Sequence, residues 1–172
     1  MEALWQLVVS TVRWLLSTDM SLYIRLESYW VWPTLETLHF TGMVMLIGAV
    51  GLFDLRVLGM AKAIPPAALH RLIPWGIAGF VLNVITGILF FIGNPDQYAY
   101  NPAFGFKLGF LTLAGLNIVA FYGTAFREVK AVPAGGDAPL RSKVITAISL
   151  SSWVCVIICG RLLTWFRPGY FG

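Results

Sequence analysis

Four long apolar segments constrain the fold of this chain more than any other feature. They cover residues 34–58, 72–92, 104–126 and 144–165. A helix needs about 20 apolar residues to cross the hydrocarbon core of a bilayer. The alternation typical of a membrane β-barrel is absent, so helices are expected. With 58% hydrophobic and 12% charged residues, the 172-residue chain is too apolar for an ordinary soluble domain. The sequence predicts an all-α integral membrane four-helix bundle, one domain over residues 1–172.

Residues 1–32 precede the first span and are expected to form one or two short amphipathic helices in the membrane interface. The apolar stretch at the N-terminus is only about 14 residues long, which is too short to cross a bilayer. Its polar positions recur every three or four residues and so share one helix face; they are Glu2, Gln6, Ser10, Arg13 and Ser17. Such a helix is expected to lie along the membrane surface.

The distribution of lysine and arginine predicts the orientation. Seven of the twelve basic residues lie beside the loops that join spans 1–2 and 3–4, and five lie on the other side. The seven are Arg56, Lys62, Arg71, Arg127, Lys130, Arg141 and Lys143, and the five are Arg13, Arg25, Lys107, Arg161 and Arg167. Because basic loops favour the cytoplasm, we expect a bacterial inner-membrane protein with both termini in the periplasm. The basic charge then reports orientation, and nucleic acid is not an expected partner.

Glu36 and His39 form an ionisable pair inside the first apolar segment. Titratable groups in hydrocarbon are costly, so such a pair is a functional-site hypothesis. His39 is also one of only two histidines in the chain. The spacing of three residues places both side chains on one face of the helix.

The depth of other polar residues extends this pair to a predicted layer. At 1.5 Å per residue, His39 lies about 9 Å below the outer interface, counted from Pro33. Thr86 and Arg161 come out at a similar depth, and Lys107 lies nearer the surface. We therefore predict a buried periplasmic-side polar site of Glu36, His39, Thr86 and Arg161 with Lys107 above it.

Small and polar residues on the second and third spans predict helix contacts. Gly76, Gly79, Asn83, Thr86 and Phe90 share a stripe expected to face the first span. Gly105, Gly109 and Thr112 on the third span are expected to pack in the same manner. Other polar positions are expected at the membrane edge: His70 as a solvated interface residue, and Asp54 and Arg56 as a solvated or locally paired end of the first span.

Haem b is the first of three functional hypotheses for the layer. A four-helix membrane bundle with an inward histidine is a common haem scaffold, and Lys107 or Arg161 could hold the propionates. His70 lies roughly 30 Å away across the core, so both histidines cannot bind one iron. The site would therefore be five-coordinate, or would use His39 from two protomers, for electron transfer or haem handling.

A metal ion such as copper is the second hypothesis. Glu36 and His39 have the spacing found in carboxylate-bridged metal bundles, and Met43 lies on the same face. Thioether and thiol ligands, here Met43 with Cys155 and Cys159, suit Cu(I). Cys159 and Arg161 point about 160° apart around their helix. If Arg161 faces the layer, the cysteines face elsewhere and cannot join the site, so copper is less favoured than haem.

The third hypothesis is a pocket for a quinone, a lipid or a small anion, with His39 and Arg161 as its polar ends. A purely structural role is the alternative. Glu36 and Arg161 would then pair to fix helix register, in a non-catalytic subunit of a homo-oligomer or larger membrane complex. No nucleophile motif or phosphate-binding glycine loop is present, so the sequence assigns no enzymatic activity.

The first span also carries a resemblance. The stretch Trp32-Pro-Thr-Leu-Glu-Thr-Leu-His39, followed by Gly42, Gly48 and Asp54-Leu-Arg-Val-Leu-Gly59, resembles an uncharacterised bacterial family of small four-span inner-membrane proteins. The layout is loosely similar to copper-resistance D-type and cytochrome b561-type bundles. This chain lacks the multiple intramembrane histidines of the latter. The resemblance implies the four-span architecture and transfers no catalytic residue.

Overall fold

The computed structural model describes residues 2–27 and 29–166, and their regular secondary structure is helical. The helices are α1 (Glu2–Leu16), α2 (Asp19–Leu22), α3 (Val31–Leu58), α4 (Pro66–Leu69), α5 (Ile73–Gly93), α6 (Pro95–Ala99), α7 (Pro102–Thr124), α8 (Phe126–Lys130) and α9 (Leu140–Leu162). The predicted all-α fold class is confirmed. Arg167, which contributed to the predicted orientation, lies outside the described residues.

Helices α3, α5, α7 and α9 are the four predicted spans, each long and apolar enough to cross a membrane. Large apolar side chains such as Val44, Leu116 and Val119 are exposed on their outer faces, as expected where lipid replaces water. The chain is a multi-pass membrane protein. Helix α3 begins at Val31 and α9 at Leu140, each a few residues before the predicted start.

The four long helices pack as two pairs joined through α3 and α9. Helix α3 packs along α5, α7 packs along α9, and α3 also contacts α9. Helices α5 and α7 make little direct contact. A gap therefore remains between α5 and α7, and α3 and α9 lie behind it.

Glycines bring α3 and α5 into close contact. A Cβ atom on Gly79 would lie 2.5 Å from the carbonyl oxygen of Gly42, and one on Gly76 would lie 3.1 Å from the Cβ of Ala49. The prediction that the stripe on α5 faces α3 is confirmed. The matching prediction for α7 is wrong, because Gly105 and Gly109 face outward and a Cβ atom on either would meet no atom within 4 Å.

At one end of the bundle, which we call the lid end, the short helices α1, α2 and α6 gather where α3 begins. Helix α1 contacts α6 and α5, and the turn after α2 inserts Ile24 against Gly93. Asn101 connects this end to the end of α9 by donating to the carbonyls of Leu163 and Phe166, at 3.0 and 2.8 Å. The location of α1 and α2 in a membrane interface stays a prediction.

At the opposite end, the loop end, the side chain of Arg56 is buried and ties two loops together. Its guanidinium donates to the carbonyls of Ile64, Lys62 and Gly136. Asp54, two residues earlier on α3, is also buried. Of the predicted solvated or locally paired terminus, the solvated form is wrong for both residues, because the loops after α3 and α8 fold over the end of α3. Arg56 is instead paired with carbonyls of the following loop.

Candidate functional site

His39 lies on the face of α3 that packs against α5. Its Nδ1 atom is 2.7 Å from the hydroxyl oxygen of Thr86, which is almost fully buried. The ring of Phe90 meets the imidazole edge-on, with the ring centres 5.5 Å apart. The close α3–α5 packing at Gly42 and Gly79 brings these side chains together.

The hydrogen bonds of Thr86 determine which nitrogen of His39 carries the proton. A threonine hydroxyl has a single proton, and that of Thr86 points to the carbonyl of Leu82, 2.8 Å away. In one tautomer Thr86 would donate to Nδ1 in place of Leu82; with its proton kept on the Leu82 carbonyl, the same oxygen accepts from His39 Nδ1–H. This leaves Nε2 as the nitrogen with the lone pair, and no described residue donates a hydrogen bond to it.

Lys107 lies near His39, as the depth argument predicted. Its positive charge is close enough to act on the imidazole, and its Nζ lies 3.8 Å from the position of a Cβ on Gly160 of α9. The lysine is partly buried. Within the described ranges, no carboxylate forms an ion pair with it, so its charge is available to an anionic group.

Glu36 is directed away from His39, toward the lid end. Its side chain is exposed and accepts a hydrogen bond from Trp32 Nε1 at 3.0 Å. Burial, and secondarily the charge of Glu36, raise the pKa of Tyr98 on α6 to about 12. Glu36 therefore lies at the lid end, one turn of α3 away from His39.

Arg161 is not part of the layer. Its side chain is exposed and donates from Nη1 to the hydroxyl of Thr164 at 3.4 Å. Cys159 is buried, and a residue two positions later points about 160° away around the helix. Arg161 therefore faces outward. A Glu36–Arg161 pair as a register pin therefore has no support in the geometry.

The predicted metal ligands do not form a cluster. Met43 is partly buried one turn beyond His39, whereas Glu36 is exposed. Cys159 is buried on α9 near Lys107, and Cys155 is partly buried. In the described part of the chain, no three side chains of His, Cys, Asp or Glu come together. The layer that the structure assembles is His39, Thr86 and Lys107.

Two features near the loop end escape the sequence-based prediction. His70, expected as a solvated interface residue, is partly exposed but also contacts Phe53, Tyr122 and Phe126, and its Nε2 is 3.0 Å from the Tyr122 hydroxyl. A cavity of about 250 Å³ lies between α5 and α7, and its lining is mostly apolar but includes Asp54 and other polar side chains such as Asn117 and Ser149. The signal available in the sequence was the position of Asp54 on the same stripe of α3 as His39.

Comparison with known proteins gives no relative for this chain. No protein-family model matches it, and neither the curated proteins nor the solved structures include a match. The family resemblance of the first span therefore stays a prediction. The basis for a function is the arrangement of the side chains themselves.

Proposed function

We propose that this membrane protein binds haem b at the lid end, with His39 Nε2 as an axial ligand of the iron. The observation that carries the proposal is the hydrogen bond from His39 Nδ1 to Thr86. Histidines that bind metals almost always donate their other ring nitrogen to a protein acceptor, which fixes the tautomer and the ring orientation. With its own proton on the Leu82 carbonyl, Thr86 is such an acceptor for His39 Nδ1–H and leaves Nε2 free to bind.

Lys107 and Phe90 suit the same ligand. A lysine without a carboxylate partner can bind a haem propionate, whose charge it would neutralise in a medium where unpaired charges are costly. Phe90 supplies an aromatic wall beside the imidazole. With one histidine in the layer, the iron would be five-coordinate or would take a second His39 from another protomer. Electron transfer and haem handling are the corresponding functions.

The bias of basic residues supports placing this site on the periplasmic side of a bacterial inner membrane. The second candidate is a non-catalytic subunit of a larger assembly. It is favoured by α7, where Gly105 and Gly109 would allow a partner helix to approach closely. In that case the protein would carry no haem.

An absorption spectrum of the full chain, produced with an ample haem supply and purified in detergent, tests the proposal. A Soret band is expected in the wild type and its loss in His39→Ala. His70→Ala is the matched control, because this histidine lies at the other end of the bundle and should leave the spectrum unchanged. A colourless wild-type protein, or a Soret band that survives in His39→Ala, would contradict haem binding at this position.

A further inference from the structure

The cavity between α5 and α7 is a second site, separate from the His39 layer. It lies in the half of the bundle near the loop end, and all four long helices line it. Asp54 is fifteen residues after His39 on α3, which is roughly 22 Å along the helix. Ile77 on α5 and Gly115 and Ile118 on α7 line the cavity and are exposed. The cavity is therefore open sideways, toward the lipid.

Two buried polar atoms among the cavity-lining residues have no hydrogen-bond partner in the described part of the chain. Asp54 is 3% exposed and Trp153 is 5% exposed; the Oδ2 atom of the first and the Nε1 atom of the second are unpaired. Ser149 interacts with the Asp54 carboxyl group, which leaves the second oxygen unmatched. A buried polar group without a partner carries a free-energy cost. A ligand that pairs with these atoms would remove that cost.

The charges around Asp54 favour a cationic ligand. In the described part of the chain, the lysines that form ion pairs do so with Asp137. The nearby Arg56 donates to loop carbonyls instead. The Asp54 carboxyl group thus has no basic partner among the described residues. The walls include the aromatic rings of Phe53, Phe80 and Trp153, and such rings attract organic cations through their π faces.

We propose that this cavity binds a lipophilic amine that enters from the bilayer between α5 and α7, with its ammonium group on Asp54. An acceptor oxygen on the same molecule would pair with Trp153 Nε1. An apolar cavity of about 150 Å³ holds benzene, so about 250 Å³ accommodates one aromatic ring with a short chain. The site requires no haem and stands independently of the function proposed for His39.

Isothermal titration of the purified full chain in detergent tests this site, with 3-phenoxypropylamine as the probe and 3-phenoxypropan-1-ol as its neutral counterpart. Titration into empty micelles provides the blank. The amine should bind the wild type at least tenfold more tightly than the alcohol. Asp54→Asn keeps the size of the side chain and removes its charge, so it should weaken amine binding at least tenfold.

A second pair of variants keeps the test decisive if Asp54→Asn does not fold. Gly115→Leu fills the cavity mouth, whereas Gly109→Leu adds the same side chain to α7 at a position away from the cavity lining. Amine binding should be lost in the first and kept in the second. The proposal is overturned if the amine and alcohol bind the wild type within twofold of each other, if folded Asp54→Asn binds like wild type, or if Gly115→Leu retains binding.

Discussion

The Thr86 hydroxyl has one proton, and when that proton goes to the Leu82 carbonyl, the oxygen accepts from His39 Nδ1–H. One side chain on α5 thereby sets the tautomer of a histidine on α3. The depth of His39, Thr86 and Lys107 could be counted from the sequence, and the structure brings these three together. The position of Arg161 could not, because its direction depends on which face of α9 packs inward. Cys159 takes that inward face.

Replacement of the Thr86 hydroxyl tests this role directly. Thr86→Val has nearly the same shape but cannot accept the Nδ1–H bond, so the tautomer and ring orientation of His39 are no longer fixed. The expected result is a loss of haem affinity of about 10- to 100-fold, measured by titrating haem into the haem-free protein. Thr86→Ser restores the acceptor and should bind like wild type. Equal affinity in the valine variant would show that Thr86 does not orient the ligand.

At the scale of helices, the glycines of α5 and those of α7 have different surroundings. The sequence predicts that the stripe on α5 faces α3, and it does. Gly76 and Gly79 pack closely against α3, and Thr86 contacts His39. The similar stripe on α7 faces outward. A pattern of small residues indicates where a helix can be approached closely, but it does not identify the neighbour. Packing of α7 against α9 uses the face with Ala114 and Phe121 instead.

Gly79→Ala should destabilise the bundle. The new Cβ would lie 2.5 Å from the Gly42 carbonyl oxygen and 2.9 Å from the backbone nitrogen of Leu46, and backbone cannot move aside cheaply. Overpacking of this kind costs about 1–3 kcal/mol, measurable by unfolding in mixed micelles. Gly87→Ala on the same helix meets no atom within 4 Å and should be neutral or slightly stabilising. Equal stability of the two variants would contradict the close contact between α3 and α5.

The two loops at the loop end form a further unit. Asp137 contacts Lys143 at 2.8 Å and Lys62 at 3.4 Å, and the Gly135 amide donates to the Lys62 carbonyl at 2.8 Å. The hydrogen bond from Lys143 is the main cause of a lowered Asp137 pKa, below its ordinary 3.8. The contribution of this carboxylate is therefore present above pH 3.8 and is lost as the pH falls through the lowered value.

Asp137→Asn should reproduce the acid condition at neutral pH. The substitution weakens the contacts of residue 137 with Lys62 and Lys143 that hold the two loops together. The Gly135 amide should then exchange its hydrogen faster than in wild type at neutral pH. Arg56, which holds the same loops through carbonyls, keeps the fold intact. Unchanged exchange at Gly135 would mean that Asp137 makes no contribution to holding the loops together.

For the molecule as a whole, the four-span architecture followed from the sequence because bilayer thickness sets helix length independently of tertiary detail. The cavity could not be predicted from the sequence, because it lies where α5 and α7 do not pack against each other. The residues of a single span do not indicate which other helix it will pack against. The buried Arg56 escaped prediction for a related reason. Its partners are backbone carbonyls of the following loop and of a loop about 80 residues away. Every residue has a backbone carbonyl, so the residue types do not reveal these partners.

The orientation of the bundle is testable by cysteine labelling in intact bacterial cells. After Cys155 and Cys159 are changed to serine, Ala134→Cys in the loop before α9 should resist a membrane-impermeant maleimide until the cells are opened. Gln97→Cys and Tyr100→Cys at the lid end should both react at once in intact cells. The opposite pattern would place the lid end, and the His39 layer with it, in the cytoplasm.

The most direct test of the central claim is the haem content of the purified full chain, measured as haem per protein in wild type and in His39→Ala. Ligation by His39 predicts about one haem per chain, or one per two chains if two protomers share the iron, and almost none in the variant. A haem-free wild type from haem-sufficient cells would contradict the account. So would a variant that folds and retains the wild-type haem content.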